Sequence, residues 1–314
     1  FDPAGVLTMT MTLPEEKYSE TYQRRQFYDE AIERLERLTG VRSAGFVNVL
    51  PFSTYDGGTR LTVDGAPTPE PGREPSASYR IASPHYHAAM RIPLVEGRFF
   101  DSGDSAEGRP VALVNQTLAR RYLGRQSAVG RRVRLDSAAD APWLTIVGVI
   151  GDVHHSALTD DPDPEVYVPM AQAPVAMMMF AIRSDTRPED LSRAVREEIQ
   201  TIDPAQPVYH VKTLDGLMDD SLLVRSASMA VMTLFSALAL VLAAVGIYGV
   251  VAYGVNQQRR EFGVRLALGA TPRDLRRLVF RSGMLMVAAG MVFGVAGALS
   301  LSRLMATALF GVSP

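Results

Sequence analysis

The chain has 314 residues, a formal net charge of −2 and 47% hydrophobic residues, which is enough for one large domain or two medium ones. It contains no cysteine, so disulfides, thiolate metal sites and cysteine nucleophiles are excluded, and the near-neutral charge gives no general attraction to nucleic acid or anionic lipid. Residues 1–225 have the composition of an α/β protein, whereas apolar residues dominate from Ser226 onward. Because the first residue is Phe1 and the last, Pro314, follows an apolar run, we expect a piece of a longer polypeptide.

Two β-α-β units lie near the two ends of residues 1–225. In the first helix, Phe27, Ile32 and Leu35 recur at helical spacing, and the preceding segment alternates apolar and polar residues as a strand does. Such units, separated by a long insertion, predict a split sheet-and-helix lobe of ferredoxin-like outline within an α+β fold. The predicted elements are strands at 5–13 and 41–51 around a helix at 19–40, and strands at 176–184 and 206–214 around a helix at 187–202.

The insertion, residues 76–172, is predicted to form a second lobe that is rich in β-strands. Residues 50–75 are rich in Gly, Pro and Thr and are interpreted as the first link between the lobes. This leaves 1–50 and 173–215 to build the first lobe, and 116–123 is predicted to be a short helix. The predicted strands of the insertion are YRIASP, VALVN, RRVRLD and WLTIVGVIGDV.

The polar residues do not form a recognisable catalytic pattern. Neither of the two lysines follows a glycine-rich loop, so no P-loop nucleotide site is present, and no G-x-S-x-G occurs. The histidine pairs His85/His87 and His154/His155 lack an identifiable third metal ligand and are interpreted as surface histidines. We therefore expect no catalytic residue, metal or cofactor in this chain, and any ATP hydrolysis must belong to a partner subunit or a missing segment.

Two long apolar runs follow the first 225 residues. Because a membrane-spanning helix needs about 20 apolar residues, helices at 226–258 and 278–303 are predicted to cross a membrane, and 304–314 is predicted to be an extracytoplasmic loop. Gly290 and Gly294 form a GxxxG pattern, which lets helix backbones approach closely in lipid. We interpret the pair as a helix-packing face, with general helix flexibility as the alternative.

The segment between the two runs is dense in arginine. Residues 259–281 carry seven arginines and only two acidic residues, and short loops rich in arginine stay on the cytoplasmic side of a membrane. Residues 259–277 are therefore predicted to be cytoplasmic and residues 1–225 to be extracytoplasmic. The arginines are Arg259, Arg260, Arg265, Arg273, Arg276, Arg277 and Arg281.

The arginine-rich segment also has predictable local structure. Phe262 and Leu266 are four residues apart and share a helical face, Gly269 is placed as a helix C-cap, and Thr271 with Pro272 begins a new helix. The pattern predicts a short helix with one apolar side, a tight turn and a long helix that enters the membrane. These residues support equally a charged loop that only fixes topology and a helix that contacts a cytoplasmic partner.

The stretch QQRREFGVRLALGATPRDLRRLV closely resembles the cytoplasmic loop of FtsX-like, MacB-type ABC transporter permeases. The family shows an acid, a glycine and an arginine followed by ALGA, and this chain matches that order at Glu261, Gly263, Arg265, Ala267, Leu268, Gly269 and Ala270. The upstream VLAAVGIYGVVAYGV resembles the membrane span that precedes this loop in the family. The residue pattern is most similar to the orphan-permease group, in which the permease unit is often duplicated within one chain. The resemblance implies a periplasmic MacB-like core domain with a porter-like lobe and an inserted, mostly β lobe.

The resemblance also implies a function in the bacterial inner membrane. The chain is expected to be a permease subunit that transmits ATPase-driven motion to its extracytoplasmic domain for export. The alternative is a regulatory scaffold that controls a cell-wall hydrolase or another partner without moving cargo. The expected partners are a cytoplasmic ABC ATPase, membrane lipid, a periplasmic adaptor or hydrolase, and a second copy or duplicated half, with no nucleic acid. The coupling residues implied are Glu261, Phe262, Gly263, Arg265, Leu266, Gly269 and Ala270.

Overall fold

The structure is a computed structural model that divides into two compact units, Phe1–Val224 and Arg225–Pro314. It describes residues 1–53, 58–66, 74–124, 126–135, 141–155, 161–268, 271, 273, 280, 284, 287, 288, 290–298 and 300. The strands are β1 Val6–Thr12, β2 Val41–Val47, β3 Gly58–Val63, β4 Ser76–Ala82, β5 Leu94–Gly97, β6 Val111–Asn115, β7 Arg132–Leu135, β8 Leu144–Ile150, β9 Glu165–Pro169, β10 Met177–Ser184 and β11 Val208–Thr213. The helices are α1 Thr21–Glu36, α2 Tyr86–Met90, α3 Gln116–Leu118, α4 Ser192–Ile202, α5 Leu214–Gln257 and α6 Arg259–Ala267, with a π-helical turn at Ala119–Leu123 and a 3₁₀ helix at Pro188–Leu191.

The two β-α-β units join into one four-stranded antiparallel sheet, which confirms the split ferredoxin-like lobe. Its strand order is β11-β1-β10-β2, so the two units interleave although the insertion separates them in the chain. Both faces of this sheet are covered. Alternate residues such as Met178 and Phe180 pack with α1 and α4, whereas Met179 and Ala181 face the second apolar cluster around α2.

The inserted lobe is a closed ring of six strands. Its order is β4-β3-β7-β8-β6-β9, and a parallel pairing between β4 and β9 closes the ring, while β5 pairs with the C-terminal half of β8. Because side chains alternate between the two faces of a strand, every second residue points into the ring and fills it. These inward residues include Leu61, Val63, Ala77, Ile81, Ala112, Val114, Val133, Leu135, Leu144, Ile146, Val166 and Val168.

The structure corrects the predicted boundaries of the inserted lobe. Residues 50–75 were expected to be a link, but β3 lies within them and pairs with both β4 and β7. Strand β9 was also not predicted, because EVYVP is short and lies among prolines. The short helix expected at 116–123 is present as α3 and the π-helical turn that follows it.

Backbone and side-chain hydrogen bonds join the two lobes firmly. Asn48 exchanges two bonds with Ile81, from its own N–H to the Ile81 carbonyl (3.0 Å) and from the Ile81 N–H to its Oδ1 (2.9 Å). Two residues after Ile81, the backbone N–H of Ser83 donates to the Phe46 carbonyl, and the Ser83 Oγ accepts from the Phe46 N–H at 3.0 Å. The end of β2 is therefore fastened to the end of β4.

The contact between α2 and β2 requires a glycine. A Cβ added at Gly45 would lie 2.4 Å from the Cα of Tyr86 and 2.6 Å from its backbone nitrogen. Atoms do not approach this closely, and the neighbours are backbone atoms that cannot rotate away. Gly45 is therefore what allows α2 to lie directly on the sheet.

The second unit contains one described helix that is long and apolar enough to cross a membrane. It is Ala230–Gln257 within α5, with 28 residues and a mean hydropathy of 2.5. At a rise of about 1.5 Å per residue it is about 42 Å long, more than the roughly 30 Å of a hydrocarbon core. The helix expected at 278–303 lies partly outside the described residues, although 290–298 are described and mostly helical. Residues 304–314 lie outside the described residues.

Candidate functional site

The arginine-rich segment forms a short helix of its own, α6, directly after α5. Residue Gln258 separates the two helices, and its N–H still donates to the Gly254 carbonyl at 3.2 Å. At the other end, the Leu268 N–H donates to the Val264 carbonyl at 3.0 Å. Glu261 lies in the first turn of α6, where a negative charge is favourable to the helix dipole.

The prediction of one apolar side for this helix stays a prediction, because Phe262 and Leu266 are described as helical backbone only. At 100° per residue, positions 262 and 266 lie roughly opposite positions 264 and 268. Val264 is 60% exposed and Leu268 is 83% exposed. Val264 in α6 and Leu268 directly after it therefore form a second exposed apolar pair, which the sequence pattern did not indicate.

The structure describes only some of the other predicted site residues. Gly263 lies in α6 with no described atom within 4 Å of an added Cβ, while Phe262, Arg265 and Leu266 are described as helical backbone only. Gly269 and Ala270 lie outside the described residues. The predicted packing pair, Gly290 and Gly294, lies on helical backbone, and no described atom comes within 4 Å of an added Cβ at either position.

The first turn of α5 is built into the core of the first unit. Leu214 is completely buried in the apolar cluster around α2, and Leu217 packs against that cluster. The Thr213 Oγ1 accepts from the Gly216 N–H at 3.1 Å, which caps the helix, and Lys212 Nζ lies 2.5 Å from Asp220 Oδ2. We call residues 212–220 the root of α5.

Sequence reasoning missed this root, although its signal was present. A Thr that precedes a helix with an acidic residue in its first turn is a common helix start, and Thr213 followed by Asp215 fits that pattern. The cap fixes where α5 begins. The buried Leu214 fixes its first turn against the domain.

A buried polar cluster joins β4 to β9 on the outside of the six-stranded ring. Glu165 is fully buried; its Oε1 accepts from Arg80 Nε at 3.1 Å and its Oε2 accepts from the Tyr167 hydroxyl at 2.9 Å. His155 Nε2 lies 2.7 Å from Glu165 Oε1, and the His155 side chain is only 10% exposed. The interpretation of His155 as a surface histidine is therefore wrong, because its ring lies against Glu165 of β9.

The polar groups of this cluster contact one another, as in a structural contact between strands. Burial, and next the charge of Glu165, raises the pKa of Tyr167 well above its ordinary value, so the phenol stays a neutral donor. Of the other histidines, His85 contacts Glu36 at 2.9 Å on the surface, and His87 stacks on Phe99. Among the described residues no group of three or more His, Asp or Glu side chains is placed to hold a metal ion.

Two family models match separate parts of this chain. The MacB-like periplasmic core domain matches residues 5–198, and the FtsX-like permease C-terminal region matches residues 233–313. The first match covers the six-stranded ring and the ferredoxin-like lobe as far as the middle of α4, so β11 lies outside it. The second covers most of the apolar part of α5, the α6 segment and the second apolar run.

Curated relatives include exporters with an ATP-binding part. The macrolide export ATP-binding/permease protein MacB of Wolinella succinogenes is 23% identical over 73% of this chain and 36% of its own length. MacB of Rhodospirillum rubrum is 28% identical over 73% and 36%, and the pyoverdine export ATP-binding/permease protein PvdT of Pseudomonas entomophila is 25% identical over 68% and 34%. The chain thus spans about a third of the length of these relatives.

Two of the similar solved structures are named as extracytoplasmic regions. The periplasmic region of MacB from Actinobacillus actinomycetemcomitans is 11% identical with a TM-score of 0.45, and the alignment covers 69% of this chain and 92% of that one. The extracellular domain of the noncanonic ABC-type transporter YknZ from Gram-positive bacteria is 13% identical with a TM-score of 0.41, covering 65% and 100%.

Proposed function

Because the chain belongs to the MacB-like periplasmic core domain family and carries an FtsX-like permease C-terminal region, we propose that it is a permease subunit of an ABC-type export system. Its task in this proposal is to carry ATPase-driven motion from the cytoplasm to the extracytoplasmic domain. The chain itself is proposed to have no enzyme activity. ATP is hydrolysed by a partner, or by a segment of the same polypeptide outside this chain.

The observation that carries the proposal is the extent of α5. The helix starts at the root, where Thr213 caps it and Leu214 is buried in the domain core, and it is helical to Gln257. The apolar run Ala230–Gln257 belongs to the same helix, and α6 follows after one residue. A helix transmits displacement well because its backbone hydrogen bonds are all internal. Movement of α6 would then reach the domain core without passing through a flexible linker.

The proposed topology follows from charge. The arginine excess between the two apolar runs places residues 259–277 in the cytoplasm, and the α5 span then places residues 1–225 outside the inner membrane. In this arrangement α6 lies at the cytoplasmic end of α5, where a cytoplasmic ATPase can reach it.

We assign ATPase contact to α6 and the turn after it. The assigned residues are Glu261, Phe262, Gly263, Arg265, Leu266, Gly269 and Ala270. Val264 and Leu268 are exposed in this chain, and on a helical wheel they lie roughly opposite positions 262 and 266. Apolar residues on two sides favour a helix that partners cover from both sides. One side would face the ATPase and the other the lipid surface or the rest of the permease.

Export is favoured over a purely regulatory role by the relatives. The relatives described above are named as exporters of a macrolide or of pyoverdine, and none of these names concerns control of a hydrolase. A periplasmic adaptor and a second copy or permease half complete the proposed assembly.

The proposal is tested by measuring association of the full-length protein with its ATPase. Phe262→Ala and Gly269→Val should insert into the membrane normally but lose most of the association, because apolar side chains at the centre of an interface cost more than about 1 kcal/mol when truncated. Phe235→Ala is the matched control, since Phe235 is an exposed residue of the apolar run. If both α6 variants bind the ATPase as tightly as the control does, the segment only fixes topology.

A further inference from the structure

A cavity opens at one end of the six-stranded ring. It has a volume of about 320 Å³, which is at the lower end of the range for sites that bind small molecules. Its inner wall is formed by Tyr79, Leu135, Leu144 and Val168, which point into the ring from four different strands. The ring is filled by side chains below them, so the cavity is a mouth and not a channel.

The outer wall of the cavity is held in place by one glutamine. Gln172 Nε2 donates to the Ser105 carbonyl at 3.1 Å and to the Arg109 carbonyl at 3.0 Å, and its Oε1 accepts from the Val111 N–H at 3.1 Å. These bonds fasten the segment at 105–111, which contributes three residues to the wall. The cavity is therefore built by specific contacts.

The chemistry of the lining is apolar with two available hydroxyls. None of the lining residues that the structure describes carries a charge. Thr59 and Tyr79 line the cavity, and among the residues that the structure describes neither hydroxyl has a hydrogen-bond partner. Burial raises the pKa of Tyr79 to about 12, so at neutral pH its phenol is available as a donor.

We propose that this mouth binds a small, uncharged, mostly aromatic or aliphatic molecule that carries a hydrogen-bond acceptor. The apolar walls take up its hydrocarbon part, and the Thr59 and Tyr79 hydroxyls bind the acceptor. A charged ligand is disfavoured, because the lining offers no opposite charge to compensate its desolvation. The inference is independent of the ATPase-coupling proposal, since it uses only residues of the first unit.

The single tryptophan provides a direct readout. Trp143 lies between two lining residues, Pro142 and Leu144, and the guanidinium groups of Arg132 and Arg134 lie over its ring at 5.7 and 5.2 Å from the centroid. The probe is 4-nitroanisole, an uncharged nitroaromatic that quenches tryptophan and carries acceptor oxygens. Titration into the 314-residue chain in detergent should quench Trp143 to a plateau.

Three variants test where the probe binds. Thr59→Phe fills the mouth from β3 and should weaken binding at least tenfold, and Ala173→Leu does the same from the opposite wall. Tyr79→Phe keeps the wall but removes one hydroxyl, and should weaken binding about fivefold, the value of one ordinary hydrogen bond. Arg60→Phe is the matched control, because position 60 is exposed on the same strand, and it should bind like wild type.

The results separate a site from general quenching. Quenching that rises linearly without a plateau would overturn the proposal, as would saturable quenching that Thr59→Phe, Ala173→Leu and Tyr79→Phe leave unchanged. A thermal melt of each variant identifies any that fail to fold. Tyr79→Phe, which keeps the packing surface, then decides the outcome.

Discussion

Replacing Glu165 by Ala should destabilise the extracytoplasmic domain severely. Arg80 and Glu165 are each 1% exposed at the side chain and are joined at 3.1 Å, and removal of one partner leaves a buried guanidinium without that carboxylate. Breaking a buried ion pair from one side typically costs about 3–5 kcal/mol. For a domain of this size, about 2–4 °C per kcal/mol corresponds to a fall in Tm of about 6–20 °C.

The unfolding of this variant can be followed by Trp143 fluorescence. Glu165→Gln should lose less stability, because its side-chain oxygen can still accept from the Tyr167 hydroxyl. The matched control is Glu197→Ala, which breaks an ion pair with Arg193 that is exposed on both sides and should leave the midpoint unchanged. A Glu165→Ala domain that melts with the control would refute the claim that this buried carboxylate stabilises the joint between β4 and β9.

Three further predictions concern acid stability, packing and topology. The hydrogen bond from Lys17 holds the pKa of Asp203 below its usual value. This carboxylate therefore stabilises the domain fully above pH about 4 and less as the pH falls through the lowered pKa. In thermal melts at acid pH, Asp203→Asn should reduce the dependence of Tm on pH. Gly45→Ala should cost about 1–3 kcal/mol in denaturant unfolding, because its Cβ meets backbone. In intact cells, a thiol reagent that reaches the periplasm but does not cross the inner membrane should label Arg193→Cys, an exposed position, and leave Arg277→Cys unlabelled. The reverse labelling pattern would contradict the proposed topology.

The ferredoxin-like lobe was predictable because its signals are local. The apolar spacing of α1 and the alternation in β1 identify each element from its own residues, and two equal units imply the sheet. The ring was less predictable. Strand β3 depends on pairing with β7 across about seventy residues, and its Gly- and Thr-rich sequence resembles a loop.

The buried environment of His155 could not be predicted either. It depends on the parallel pairing that brings β9 beside β4 and carries Glu165 to Arg80. No periodicity in the sequence encodes that meeting, because the two strands are more than eighty residues apart. By contrast, the helix cap at Thr213 depends only on neighbouring residues and was predictable from the sequence.

Amide hydrogen exchange tests the central claim most directly. The full-length protein would be reconstituted with its ATPase in lipid nanodiscs, and exchange compared with and without ATP for residues 208–217 and 259–268. We predict that ATP changes protection in both segments, and that two glycines inserted after Val224 to interrupt α5 abolish only the change at 208–217. An unaltered 208–217 segment in the wild-type protein, while 259–268 responds to ATP, would contradict transmission through α5.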